Sequence, residues 1–522
     1  MARYKYILIV LWALTIAACS KTELEESSDG YIDDSYGSQT LLTESNSDSK
    51  ELTLLLGLAA DGVSSIDLLI PVRKSYSNPT ITIEAKSEDW GVIELVGKSD
   101  FESLNFYFYR YTFTSEERLP ESLENSSVAE LIYSIEVGDE EGNAMAVPIT
   151  ISVIRPAVIF AHGLASNAET YTPMLNYIRP MGLYLDEALY AVDYFKTSVA
   201  SYATNLNVIP EAIEQTRSTL YDLGYVNEKF TIVGHSMGGI LTRLYIQNES
   251  EEYPYNDDIL KIITIDTPHS GSQLADFALS LGDGDTTSPL TIFSKMGAIV
   301  DLAVESDATK NLNDSAKLSA ANALEIPTHV ITAHIGTTWD VAQLINEEQY
   351  LFAVTTYLIN ALEQKYIYGD DQNDIIVPMT SQLGGVEDRW RTSYITTYSN
   401  EWHCSVHTTE VAATDIVGLF NTVSSDDSVF TTSGFSPATL SYASDAEIEM
   451  VEVSSTPDMA EVDTQLLIGV NADGEVVTAA YDDEANPSFA LSDEQMSGVV
   501  IRYYIAKLKS GEFNYTTTTL VE

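Results

Sequence analysis

The chain has 522 residues, with 78 Asp and Glu against 26 Lys and Arg, so its formal charge is 26 − 78 = −52. At roughly 150 residues per domain this length predicts two to four domains, and a 45% hydrophobic content with 31 Tyr excludes a wholly disordered chain. Three acids for every base exclude nucleic acid as a partner and set the surface against anionic membranes.

The N-terminus carries Arg3 and Lys5, then the apolar run Ile7 to Ala18, then Cys19. About a dozen apolar residues fall short of the roughly 20 that span a bilayer, so residues 1–18 read as a signal peptide. Leu14 to Cys19 (LTIAAC) resembles the lipobox of bacterial lipoprotein precursors. That resemblance implies cleavage before Cys19, lipid attachment at Cys19, and anchorage in the envelope of a Gram-negative bacterium, at the outer membrane or cell surface. Several acyl chains on one Cys hold a protein stably at a membrane. Cys404 is the only other cysteine, so no disulfide framework is available. Residues 19–50, acidic and Ser-rich without apolar periodicity, read as a solvated tether, reaching about 30 Å on average.

From 51 to 155 short alternating segments follow one another: Thr80 to Glu84, Phe106 to Phe113, Leu131 to Val137, Ile149 to Val153. Period-two alternation, with Gly138 to Asn143 as a hairpin loop, predicts an immunoglobulin-like β-sandwich of about seven strands, without a catalytic cluster. From 156 to 424 apolar runs (Ala157 to Phe160, Phe230 to Val233, Ile262 to Ile265) alternate with helical stretches such as Val208 to Leu223. That alternation predicts a mostly parallel sheet with crossover helices on both faces. From 425 to 522 strand character returns in Glu447 to Val453, Leu466 to Val470 and Val499 to Lys507, with turns at Asn471 to Gly474 and Lys509 to Glu512, predicting a small C-terminal β-domain.

The strongest chemical signal is Phe230 to Gly239 (FTIVGHSMGG): a strand, then G-x-S-x-G, then a helix beginning at Ile240. Glycines flank Ser236 because a strand-to-helix turn this tight leaves no room for side chains, and the turn lifts the hydroxyl into the open. The segment resembles the nucleophile elbow of the α/β-hydrolases, particularly bacterial lipases and esterases. Val158 to Leu164 (VIFAHGL) looks like their strand and His-Gly loop. Ile263 to Ser272 (ITIDTPHSGS) looks like the T-P-H-x-G-S that follows the next strand. The resemblance spans about residues 156–421 and leaves the flanking β-domains untouched.

The resemblance implies a serine hydrolase whose triad runs Ser, acid, His along the chain. A serine hydroxyl needs a base, and the base needs a carboxylate to hold its tautomer. Among the seven histidines, His162 and His235 precede Ser236, His269 belongs to the T-P-H segment, and His329 and His334 lie on or beside a strand, which leaves His403 and His407. His407 is the favoured base, because it leads directly into the apolar helix Val411 to Phe420; His403 is the alternative. Asp374, in NDIIVPMTSQ, resembles the lipase acid and is favoured over Asp340. Backbone N–H groups of Met237 and Leu164 are expected to bind the oxyanion. An insertion from about Ser280 to Leu324 fits either a lid over an acyl pocket or an ordinary packed helix. No cofactor is expected and no metal carried over: Thr409, or Ser405, stands where some lipases place a calcium carboxylate, and the acidic loops Gly282 to Asp285 and Gly369 to Asp374 read as solvated. The expected function is a lipid-anchored serine hydrolase cleaving carboxylic esters, a lipase or esterase acting on acyl lipids. A phospholipase or acyltransferase with the same triad, and a non-catalytic adhesion protein, are the alternatives. The ligands of the β-domains are not legible.

Overall fold

The computed structural model describes residues 55–100, 105–282, 296–335, 367–369, 371–384, 395–399, 401–420, 450–472, 476–482, 484–510 and 513–520, with short extended stretches at 6–8, 43–44 and 52–53. Cys19, most of the tether, Asp340, and the centre of the 280–324 insertion lie outside them.

The N-terminal part folds as strands β1 (Gly57–Ala59), β2 (Ser65–Arg73), β3 (Thr80–Ala85), β4 (Val92–Asp100), β5 (Phe106–Thr114), β6 (Val128–Gly138) and β7 (Ala144–Ile154). Strands β6 and β7 form an antiparallel hairpin closed between Gly138 and Ala144. Alternation does the work here: Leu131, Tyr133, Ile135 and Val137 of β6 point inward, and the intervening residues face outward. They meet Ile66, Leu68, Ile70 and Val72 of β2 and the buried Trp90, whose indole N–H donates to Arg118 O at 2.5 Å.

The central part is a parallel sheet whose strands are β8 (Val158–Ala161), β9 (Leu189–Val192), β11 (Phe230–His235), β12 (Ile259–Ile265), β13 (Thr328–His334) and β14 (Ile395–Ser399), in spatial order β9-β8-β11-β12-β13-β14. Its strands are continuous apolar runs because both faces are covered. Ile159, Ile232 and Ile262 pack on one side with helices α2 (Val208–Asp222) and α3 (Met237–Ile246). Val158, Phe160, Val233 and Ile263 pack on the other with α1 (Thr172–Ile178) and the later helix Glu410–Phe420. A β8-to-β11 neighbour pair joined by helical crossovers puts every loop that follows a strand's C-terminus on one edge, where α/β folds bind and react.

The boundary between the first two parts is less sharp than the change of pattern at Arg155 suggests. Strand β10 (Tyr225–Val226), which precedes the nucleophile strand, pairs in parallel with β1, extending the N-terminal sheet in the order β10-β1-β7-β6-β3. The C-terminal strands β15 (Met450–Glu452), β16 (Val462–Val470), β17 (Val476–Asp482), β18 (Ile501–Leu508) and β19 (Phe513–Thr519) form one sheet, ordered β15-β19-β18-β16-β17. No helix of the described residues is long and apolar enough to cross a membrane.

Candidate active site

Ser236 ends β11 and starts α3 with φ +51° and ψ −121°, a left-handed conformation that a non-glycine residue tolerates only where the surroundings enforce it. What enforces it is crowding. A Cβ on Gly238 would stand 2.2 Å from Ala161 O, and one on Gly163 would stand 2.8 Å from the Ser236 Cβ. The elbow and the His-Gly loop therefore press backbone against backbone, and Ser236 is left 4% exposed.

The imidazole that meets this hydroxyl belongs to His403. Its Nε2 lies 2.7 Å from Ser236 Oγ and its Nδ1 lies 2.7 Å from Asp374 Oδ2. With Nδ1–H donated to the carboxylate, Nε2 is left to accept from the hydroxyl. The other carboxylate oxygen, Asp374 Oδ1, accepts from the N–H groups of Ile376 at 2.9 Å and Val377 at 2.7 Å, across a turn in which Ile375 adopts φ +87°. His403 N also donates to Asp374 O at 3.0 Å, so the acid and base loops are tied through the backbone as well. His403 and Asp374 are both buried.

The structure does not bring His407, the favoured base of the sequence reading, to Ser236. Its ring lies one short helical turn further on, beneath the site: Nε2 is 2.7 Å from Thr170 Oγ1, and the ring packs 4.1 Å from that of His235. Burial drives its pKa down to about 3. The reason is geometric. Strand β14 ends at Ser399, and the loop 401–405 stays at the C-terminal edge of the sheet; His407 sits in the turn Val406–Thr408 that already descends toward the helix Glu410–Phe420. The signal that selects His403 is its closeness to the end of a strand, not its closeness to the next helix.

Other residues of the sequence reading fall into place around the triad. Met237 is the first residue of α3, where an N–H has no intrahelical acceptor, and Leu164 continues the loop that lies against Ser236. The loop is held by Tyr194, whose hydroxyl donates to His162 O and whose ring stacks on the His162 imidazole at 3.9 Å. The T-P-H-x-G-S segment is a brace. Ser272 Oγ donates to Ile376 O at 2.5 Å and Ser381 Oγ to Gly271 O at 2.6 Å, which pins the Asp374 loop. Two residues escaped the sequence reading. His235 donates from Nε2 to His403 O at 2.7 Å, and Asp266, at the end of β12, is fully buried with φ +49°. Donor atoms of His235, Asp266 and His403 lie within 4.8 Å of one another. Both ring nitrogens of His403 are already committed to Ser236 and Asp374, so the group is a part of the triad's surroundings and not a metal centre.

The buried imidazoles of His162 and His407 make stability sensitive to acid. An unfolded chain protonates its histidines near 6.5, whereas burial delays His162 to about 4 and His407 to about 3. Between pH 6.5 and pH 4 the unfolded state alone gains these protons. The contribution is whole above pH 6.5 and is lost as pH falls, at about 1.4 kcal/mol per pH unit for each histidine. Urea unfolding across that range should show this slope, and His407→Gln should flatten it by one such increment.

A parallel sheet with helices on both faces, a nucleophile elbow and a Ser-His-Asp array at the C-terminal edge define an α/β-hydrolase-like fold. Residues 158–283 match the family described as PGAP1-like alpha/beta domain. Comparison with the curated proteins gives no match. Among solved structures, the chain is similar to the lipase BlEst2 of Bacillus licheniformis in mature form, at 19% identity and TM-score 0.35, covering 51% of this chain and 91% of that one. It is similar to phospholipase PlaB from Legionella pneumophila in complex with thio-NAD, at 12% identity and TM-score 0.33, covering 70% and 90%. It is also similar to lipase 1 from Pelosinus fermentans, at 15% identity and TM-score 0.30, covering 51% and 97%.

Proposed function

We propose that the protein is a serine hydrolase of carboxylic esters, acting on neutral acyl lipids or related esters. The observation that carries this reading is the unbroken line of two 2.7 Å hydrogen bonds from Asp374 through His403 to Ser236. Ser236 attacks the acyl carbonyl; His403 takes its proton and later gives one to the leaving alcohol; Asp374 keeps the imidazole in the tautomer that accepts, and balances its charge when it becomes imidazolium. The N–H groups of Met237 and Leu164 are assigned to the oxyanion, where one such donor is worth about 3 kcal/mol of transition-state stabilisation. The net charge of −52 favours neutral substrates over anionic ones.

The purified protein should be labelled at Ser236 by a fluorophosphonate and should hydrolyse p-nitrophenyl esters; a folded protein that does neither is not this enzyme. A preference for long acyl chains assigns it as a lipase, and a preference for short ones as an esterase. We further propose that Cys19 carries a lipid that holds the protein at the envelope of a Gram-negative cell, a reading supported by the LTIAAC segment alone. Cys19→Ser should move the protein from the membrane to the soluble fraction, and retention on membranes would overturn the anchor.

A further inference from the structure

The parallel sheet brings four reactive side chains to one edge: Ser236 after β11, Asp266 after β12, Asp374 beyond β13 and His403 after β14. Three of them are accounted for. Asp266 is not: it is fully buried, and the one N–H that faces its carboxylate, that of Ala333, is already donated to Gln382 Oε1 at 2.9 Å. A buried carboxyl with no donor of its own costs several kcal/mol if charged, yet this one is held in a left-handed backbone conformation with its N–H donating to Ile331 O at 3.0 Å. It stands within 4.8 Å of ring nitrogens of both His403 and His235.

We infer that Asp266 is a positioning residue of the catalytic centre, a second carboxyl that stands in reserve beside Asp374 and supports the His403 imidazole when Asp374 is lost. This rests on the serine-hydrolase reading above. The groups facing Asp266 are His235 from β11, His403 and Glu401 from the loop after β14, Tyr398 from β14 and Asp374 from the loop before the short helix Met379–Leu383. Two carboxylates in one dry site cannot both be ionised. Asp374 has two backbone N–H groups and the imidazole to stabilise its charge. Burial and the Asp374 charge push the Asp266 pKa well above the usual carboxylate range, so Asp266 keeps its proton in the intact site. Removing the Asp374 carboxylate removes that repulsion. The imidazolium formed during acyl transfer then has Asp266 as its nearest buried counter-charge.

The test compares Asp374→Ala with Asp374→Ala/Asp266→Asn, reading both ester kcat and the rate of fluorophosphonate labelling at Ser236 as functions of pH. Loss of a triad carboxylate ordinarily costs about 10⁴-fold in kcat. With Asp266 in reserve, Asp374→Ala should lose only on the order of 10²-fold, and the double variant should lose the remainder. The acid limb should also differ: in Asp374→Ala activity must wait for Asp266 to ionise, so its limb lies at higher pH than that of the double variant. Melting temperatures confirm that both are folded. Equal rates and coincident limbs in the two variants overturn the inference. A wild-type protein that is neither labelled nor active overturns the hydrolase reading, and this one with it.

Discussion

His403→Ala should lower ester turnover by about 10⁴- to 10⁶-fold, with KM little changed, and should slow fluorophosphonate labelling in parallel. The imidazole is the only group among the described residues that contacts both Ser236 Oγ and the Asp374 carboxylate, each at 2.7 Å. Without it the hydroxyl keeps its proton, and what survives is catalysis by the oxyanion donors and by binding. His407→Ala is the informative companion. It empties a buried volume under the site and leaves Thr170 without its 2.7 Å partner, at a cost of about 2–4 kcal/mol in stability. Because His407 hydrogen-bonds neither Ser236 nor Asp374 and packs on His235, which in turn packs on the base, its effect on turnover should stay within about a hundredfold, the size that modest misplacement produces. Steady-state kinetics separate the two: His403→Ala is dead, whereas His407→Ala, though weakened in thermal melts, still turns over. The reverse pattern would return the role of base to His407.

The parts of this site written in local sequence were legible; the parts set by three-dimensional proximity were not. G-x-S-x-G between a strand and a helix fixes Ser236, because the tight turn is a property of ten consecutive residues. Asp374 is marked by its neighbours too, since the N–H groups of Ile376 and Val377 that hold its carboxylate are two and three residues away. The choice between His403 and His407 depends instead on where β14 ends relative to the sheet edge, which no short motif records. Asp266 was passed over as part of the T-P-H segment. Its meaning comes from three other strands that converge on it, and a sequence presents those strands one after another. Likewise the β-strand pattern announces the N-terminal sheets, but the pairing of Tyr225–Val226 with Gly57–Ala59 joins segments 168 residues apart.

That joint leads to the largest expected loss of stability, from Asp61→Ala. Asp61 lies just past β1, is 2% exposed, and accepts six hydrogen bonds. Four come from its own β-unit: Val63 N, Ser64 N, Ser64 Oγ and Ser115 Oγ. The other two come from Glu228 N at 2.9 Å and Lys229 N at 3.0 Å, at the entrance to the nucleophile strand. One carboxylate thus satisfies donors on both sides of the seam, next to the backbone pairing of β10 with β1. Alanine leaves six donors without this acceptor, three of them in buried bonds and three in part-buried ones, and each costs about 1–3 kcal/mol where water cannot reach it. Partial hydration and relaxation reduce the sum, so the expected loss is about 3–5 kcal/mol, or a fall in Tm on the order of 10 °C. Asp61→Asn restores one acceptor oxygen and should recover part of it. The loss should also reach the catalytic edge: Lys229 and Phe230 lead straight into β11, so turnover of Asp61→Ala should fall at temperatures well below its Tm, while Asp61→Asn turns over like the wild type. If the seam were incidental, calorimetry would show the N-terminal unit melting early and the hydrolase transition unmoved; a single shifted transition shows that the β-unit and the catalytic sheet fold as one.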